Sequence, residues 1–224
     1  MMVQFRSGDE KASAYLVKPD GKGPFPAMVV VHEWWGLNDW TKHMADKLAG
    51  EGYVAMAVDL YRGKSTANPD EAHQFMSGLP EDRAVRDLKG AFAYLQAQSD
   101  VKKDRIGSIG WCMGGKYSGL LAIEEPKLTA CVIYYGSMPT DAETLKKIQA
   151  PVIGFFGGAD QGVTPELARD FQHQMEALKK VITVTIYDGA GHGFANETGK
   201  NYNPDATRDA WEKTVAFLSK YLHG

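Results

Sequence analysis

Six short apolar runs constrain the fold more than any other feature of the sequence: Met28 to His32, Val54 to Val58, Ile106 to Ile109, Cys131 to Tyr135, Val152 to Phe156 and Ile182 to Tyr187. Each is rich in β-branched or aromatic residues and is bounded by Gly, Pro or Asp. Near-continuous apolarity of this kind is what a strand covered on both faces needs. Between the runs lie segments with helical apolar spacing, at Trp40 to Gly50, Arg83 to Ala97, Met113 to Ile123, Pro165 to Leu178 and Asp205 to Leu222. Strand and helix alternating throughout predict an α/β fold with a mostly parallel, doubly wound sheet and helices on both faces. Val3 to Phe5 and Ala12 to Val17 suit an antiparallel hairpin at the sheet edge. Leu60 to Leu79 is expected to form a pocket wall with a helix whose limits apolar spacing does not set. No repeat, low-complexity tract or linker divides the 224 residues, so one domain spanning residues 1–224 is expected.

Composition removes several classes of function. With 25 Lys+Arg against 28 Asp+Glu and no basic run, the chain lacks the electrostatic footprint of a nucleic-acid or anionic-membrane binder. The first residues carry charges where a secretory signal needs an apolar core, and no apolar run approaches the ~18 residues of a membrane span. A cytoplasmic protein with a small-molecule partner, monomeric or a small homo-oligomer, is the expectation. Two cysteines, Cys112 and Cys131, are too few for a disulfide framework or a four-cysteine zinc site. His32-Glu33 lacks the second histidine of a zinc-peptidase helix, and Gly107 to Gly114 does not spell a dinucleotide-binding loop. No metal or cofactor is expected.

In open α/β sheets, functional residues collect beyond the carboxyl ends of the strands. After Ile106 to Ile109 comes Gly110-Trp111-Cys112-Met113-Gly114-Gly115 and then a helical stretch. This is the tight strand-to-helix elbow that presents a nucleophile, with cysteine in the serine place. A helix N-terminus favours the thiolate there. Taken alone, the segment fits a buried structural cysteine equally well. Two further residues decide the matter, because Asp160 and His192 each follow a later strand, in the chain order nucleophile, acid, histidine. An imidazole can hold the thiol proton, and a carboxylate can fix its tautomer. Asp59 and Asp188 also stand at strand ends and are alternative partners for His192.

The loop His32-Glu33-Trp34-Trp35-Gly36-Leu37-Asn38 follows the first central strand. In an α/β-hydrolase such a loop supplies one oxyanion-hole N–H and the residue after the nucleophile supplies the other, which points to Trp34 and Met113. Glu33 is either a structural carboxylate held by a salt bridge or a functional acid at a strand end. Trp34 and Trp35 fit core or pocket wall alike.

The elbow, Glu33-Trp34-Trp35-Gly36, Asp59-Leu60-Tyr61, Gly158-Ala159-Asp160 and Gly191-His192-Gly193-Phe194-Ala195 together resemble the dienelactone hydrolase family from about residue 10 onward. The resemblance implies a capless α/β-hydrolase that opens ester or lactone bonds with a Cys112, His192, Asp160 triad. It also implies that Glu33 contacts the resting thiol and activates it. Trp35, His73, Phe194 and Asn196 are the substrate contacts expected on this basis. Two arginines that hold an anionic substrate in the family are absent: Asn196 stands in one place, and Pro69 and His73 fall where the second arginine and its aromatic neighbour are expected. Arg62, Arg83 or Arg86 are the cations left to replace them. The expected substrate is therefore a neutral or aryl ester or an uncharged lactone. Phosphotriester hydrolysis, thiol acyl transfer and a non-catalytic redox switch at Cys112 are the alternatives.

Overall fold

The computed structural model describes residues 1–223. Eight strands form one sheet in the order β1-β2-β4-β3-β5-β6-β7-β8. The expected hairpin is β1 (Met2–Ser7) with β2 (Glu10–Val17), and β2 also pairs antiparallel with β4 (Val54–Val58). All pairings among β4, β3 (Phe25–Val31), β5 (Val101–Trp111), β6 (Ala130–Tyr134), β7 (Val152–Gly157) and β8 (Ile182–Tyr187) are parallel.

Successive side chains of a strand face opposite sides of a sheet, so each central strand serves two apolar layers. In β3, Ala27, Val29 and Val31 join the layer that holds α3 (Glu81–Ala97), α4 (Met113–Glu124) and α6 (Pro165–Ala177). Met28 and Val30 join the layer under α1 (Asp39–Gly50) and α7 (Pro204–Leu218). Both layers are buried, which is why the sequence shows unbroken apolar runs instead of alternation.

Helix starts follow from local chemistry. Asn38, Thr164 and Asn203 cap α1, α6 and α7 by accepting from the amides of Thr41, Leu167 and Ala206, and Pro165 and Pro204 sit in the first turn where a missing N–H costs nothing. The helix of the pocket wall is α2 (Pro69–Ser77), capped by Asn68. It buries only Ala72, so apolar spacing cannot delimit it. A single turn, α5 (Ala142–Leu145), was not expected for the same reason. The last helix ends earlier than the sequence predicts, and Ser219–His223 forms a wider π turn. β5 begins before the predicted Ile106 because Lys103 and Asp104, both exposed, extend it where no layer covers it. β6 stops at Tyr134, leaving Tyr135 in the left-handed region at φ 39°. Among the described residues no helix is long and apolar enough to cross a membrane.

α4 sits almost directly on the sheet because glycine leaves room for it. A Cβ on Gly115 would lie 2.6 Å from the Tyr134 carbonyl oxygen, closer than any real contact. Gly115→Ala is therefore expected to lower stability by about 1–3 kcal/mol, since backbone must move to admit it. Gly50→Ala, where nothing lies within 4 Å of the new methyl, is expected to be neutral or stabilising. Thermal unfolding of the two variants beside the parent protein checks both.

Candidate active site

Cys112 is the N-cap of α4 and carries φ 57° and ψ −121°, a strained conformation outside any helix or strand. The surrounding glycines make the turn possible. A Cβ on Gly110 would fall 2.0 Å from the Gly114 carbonyl oxygen, and one on Gly114 would fall 2.3 Å from that of Val31. The end of β5, the start of α4 and the end of β3 thus touch backbone to backbone. The half-buried sulfur is held at the rim and not in the core.

Two loops bring the other groups to it. Beyond β7 and β8 the chain crosses itself closely: the Ala159 amide donates to the Ala190 carbonyl at 2.9 Å, and the Gly158 amide to that of Tyr187 at 2.8 Å. A side chain on Gly157 would strike the Ala190 carbonyl oxygen at 2.4 Å. Asp160 and His192 therefore meet. His192 Nδ1 lies 2.7 Å from Asp160 Oδ2, and its Nε2 lies 3.0 Å from Cys112 Sγ. Asp160, not Asp59 or Asp188, holds the imidazole. Asp59 instead accepts from the amides of Tyr61 and Gly63 within its own loop.

The two acids of the site are treated oppositely. Burial pushes the Asp160 carboxyl up, but His192 and the amides of Val163 and Gly162 outweigh it and hold the group below its ordinary value. Burial likewise pushes His192 down, and the Asp160 carboxylate and the Cys112 sulfur overcome it, raising the imidazole to about 10. Glu33 is 4% exposed, and burial raises it to about 7 against weaker opposition from Asn196, His192 and Tyr135. Among the described residues no Lys or Arg pairs with it. Its oxygens accept from Asn196 Nδ2 at 2.6 Å and from the Tyr135 hydroxyl at 3.4 Å.

These contacts correct three expectations. Among the described residues no hydrogen bond joins Glu33 to the thiol: its oxygens accept from Asn196 and Tyr135, and the sulfur faces His192. Asn196 is turned inward and buried: its amide nitrogen donates to Glu33, and its oxygen accepts from the amide and hydroxyl of Thr198. Phe194 is fully buried beneath Tyr135 and Tyr187, with ring centroids 5.3 and 5.2 Å away, and is a packing residue. Trp35 remains half-buried with its ring on Trp34 at 4.8 Å. His73 is exposed on α2, where Nε2 faces Ser77 Oγ at 3.5 Å, and it joins no member of the cluster.

The N–H groups of Trp34 and Met113 find no acceptor among the described residues. Sequence reasoning missed Tyr135, whose ring packs on His192 at 5.2 Å. Its signal was its place before Gly136, where a Cβ would strike Gly115, so the strand must already have ended. An open depression of about 640 Å³ lies beside the imidazole, lined by Asp160, Gln161, His192, Lys200, Asn201 and Tyr202. The second cysteine is unlike the first. Cys131 is fully buried against Ser118, and burial pushes its thiol up to about 11.

Comparison with known proteins adds three findings. The sequence model of the dienelactone hydrolase family matches residues 12–222. A Saccharolobus solfataricus protein provisionally named carboxymethylenebutenolidase is 32% identical over 257 residues, which cover 97% of both chains. Among solved structures, a dienelactone hydrolase-like promiscuous phosphotriesterase from metagenomic libraries superposes with a TM-score of 0.89 at 25% identity, covering 99% of this chain and 97% of that one. The acylaminoacyl peptidase of Pyrococcus horikoshii shares the fold, with a TM-score of 0.77 at 17% identity over 99% of this chain and 41% of that one.

Glu33 supplies a pH prediction. Its folded value of about 7 lies above the ordinary 4.5, so the folded state binds more protons in between and loses stability as pH rises through that window. Glu33→Gln removes the ionisation. Relative to the parent protein, the variant is expected to gain a few kcal/mol between pH 4.5 and pH 7. Denaturant unfolding of both proteins across that range reads the difference.

Proposed function

The chain belongs to the dienelactone hydrolase family and is a carboxylic ester or lactone hydrolase, and on that premise we propose that it works through a thioester formed on Cys112. One observation carries this reading: the unbroken line from Sγ through the imidazole to the Asp160 carboxylate, at 3.0 and 2.7 Å. The thiol proton passes to His192 Nε2, sulfur attacks the acyl carbon, a C–S bond forms, and the carbonyl electrons move onto oxygen. The free amides of Trp34 and Met113 receive that charge, and fixed donors of this kind are worth about 3–4 kcal/mol each. Collapse of the adduct breaks the C–O bond, and His192 gives its Nε2 proton to the departing alkoxide. Water then loses a proton to the same nitrogen and attacks the thioester, and sulfur leaves as the carboxylate product forms. Asp160 holds the ring and its charge throughout. Glu33 acts on the imidazole and sulfur through its field and through Tyr135 rather than by touching the thiol.

Substrate preference follows from what surrounds the sulfur. Asn196 offers no cation and is held inward by Glu33 and Thr198. Neutral or aryl esters and uncharged lactones suit such a site better than carboxylated lactones, which call for a guanidinium. Thiolate is expelled before an amine, so esters with good leaving groups are favoured over amides. The similarity to a promiscuous phosphotriesterase supports activated phosphotriesters as a second substrate class.

Hydrolysis of a panel of aryl esters, neutral lactones and carboxylated lactones tests the reading. Cys112→Ala is expected to lose at least about 10³-fold in kcat, and the parent protein quenched during turnover is expected to show an acyl mass on Cys112. Full hydrolysis by Cys112→Ala would remove the nucleophile. Faster turnover of the carboxylated lactones would remove the proposed preference. Amines or thiols that divert the acyl group would favour transfer over hydrolysis.

A further inference from the structure

Directly after β3 stands His32, a fully buried imidazole with both ring nitrogens engaged. The Leu60 amide lies 3.3 Å from Nε2, and a backbone N–H can only donate, so Nε2 is the acceptor and carries no proton. The proton therefore sits on Nδ1, which lies 2.5 Å from the Glu33 carbonyl oxygen and donates to it. That oxygen belongs to the Glu33–Trp34 peptide, the planar unit whose other end is the Trp34 N–H. The Gly36 amide reaches the same oxygen at 3.3 Å. Holding the oxygen of a rigid plane aims its hydrogen in the opposite direction, and a hydrogen bond to the carbonyl strengthens the N–H as a donor.

We propose that His32 is a positioning residue for the oxyanion hole: a neutral imidazole that clamps the Glu33 carbonyl so that the Trp34 N–H is fixed toward the reacting oxygen. The proposal rests on the reading of Trp34 as an oxyanion donor. The clamp is itself anchored. Asp59 holds its loop through Tyr61 and Gly63, and Arg83 donates to the Leu60 carbonyl at 3.1 Å, so the backbone next to the Leu60 amide is tied down by side chains. The same loop touches the side chain of the residue that bears the second oxyanion amide, because the Tyr61 ring packs on His32 at 4.9 Å while its hydroxyl lies 3.2 Å from Met113 Sδ. One short segment beyond β4 thus contacts both residues that surround the oxyanion hole, His32 and Met113.

Two substitutions separate the nitrogens. In His32→Asn the amide nitrogen falls near the place of Nδ1 and keeps the bond to Glu33, while His32→Gln keeps an acceptor near Nε2 and abandons the Glu33 carbonyl. On an aryl ester, His32→Gln is expected to lose about 10- to 100-fold in kcat with KM changed by less than about threefold, whereas His32→Asn stays within about threefold of the parent protein. Alkylation of Cys112 by iodoacetamide, which develops no oxyanion, is expected to proceed at the parent rate in both. Equal loss in the two variants, or a parent-like kcat in His32→Gln, would overturn the clamp. A slowed alkylation in His32→Gln that accounts for its loss of kcat would overturn it too.

A measurement on the unsubstituted protein covers the case in which neither variant folds. A trifluoromethyl ketone adds Cys112 sulfur to its carbonyl and places an oxyanion in the hole. Nitrogen-15 NMR of the His32 ring is expected to show Nδ1 protonated, with the Nδ1–H resonance moving when the ketone binds. A proton on Nε2, or no movement, would overturn the proposal. Cys112→Ala separates the layers of the argument. If it is inactive while His32→Gln is unimpaired, the clamp alone fails, and if it retains full hydrolysis, the nucleophile reading fails and takes the clamp with it.

Discussion

Backbone packed against backbone, with no side chain between, is the condition on which the site depends. At Gly110 and Gly114 the end of β5 and the first turn of α4 lie so close to each other and to the end of β3 that any Cβ would collide with a carbonyl oxygen. This contact forces Cys112 into a conformation that an ordinary residue avoids, and it lifts the sulfur clear of the sheet. A second contact of the same kind, at Gly157, seats the Asp160 loop on the His192 loop. The strain at one residue is tolerated because two buried apolar layers hold the strands that create it.

The sequence made the scaffold legible because the scaffold obeys periodic rules. Buried parallel strands read as apolar runs, the helices between them read as apolar spacing, and the elbow reads as glycines around a cysteine. Cys112, His192 and Asp160 were visible because each follows a strand, so chain order alone supplied their common rim. What stayed hidden depends on the direction in which a side chain points. Asn196 could face a ligand or the interior, and only coordinates reveal that Thr198 and Glu33 take both ends of its amide. Phe194, one residue past Gly193, had the same ambiguity and went into the core. Tyr135 escaped notice because its aromatic ring looks like one more strand residue, although the glycine behind it marks the end of the strand. His32 was seen at a strand end, but its partners are main-chain atoms, which carry no sequence signature.

Electrostatically the site divides its labour between two buried carboxyl groups. Asp160 receives donors on both oxygens, two of them amides and one an imidazole, and so stays ionised beside a histidine that it keeps basic. Glu33 receives only a neutral amide and a phenol, and with the nearby imidazole they offset its burial only in part. Asn196 contacts Glu33 without bringing a charge. With Asn there, the proton on Glu33 becomes exchangeable near neutrality, and the charge that faces the imidazole varies with it.

The contrast between the two cysteines has a practical side. Cys131 lies wholly inside, bonded to Ser118 and with its thiol weakly acidic, while Cys112 stands half-open at the rim. The native molecule therefore presents a single sulfur to a chromogenic disulfide reagent, and unfolding releases the other. Counting equivalents in a spectrophotometer becomes an internal gauge of how much of a preparation is folded, with no engineered label.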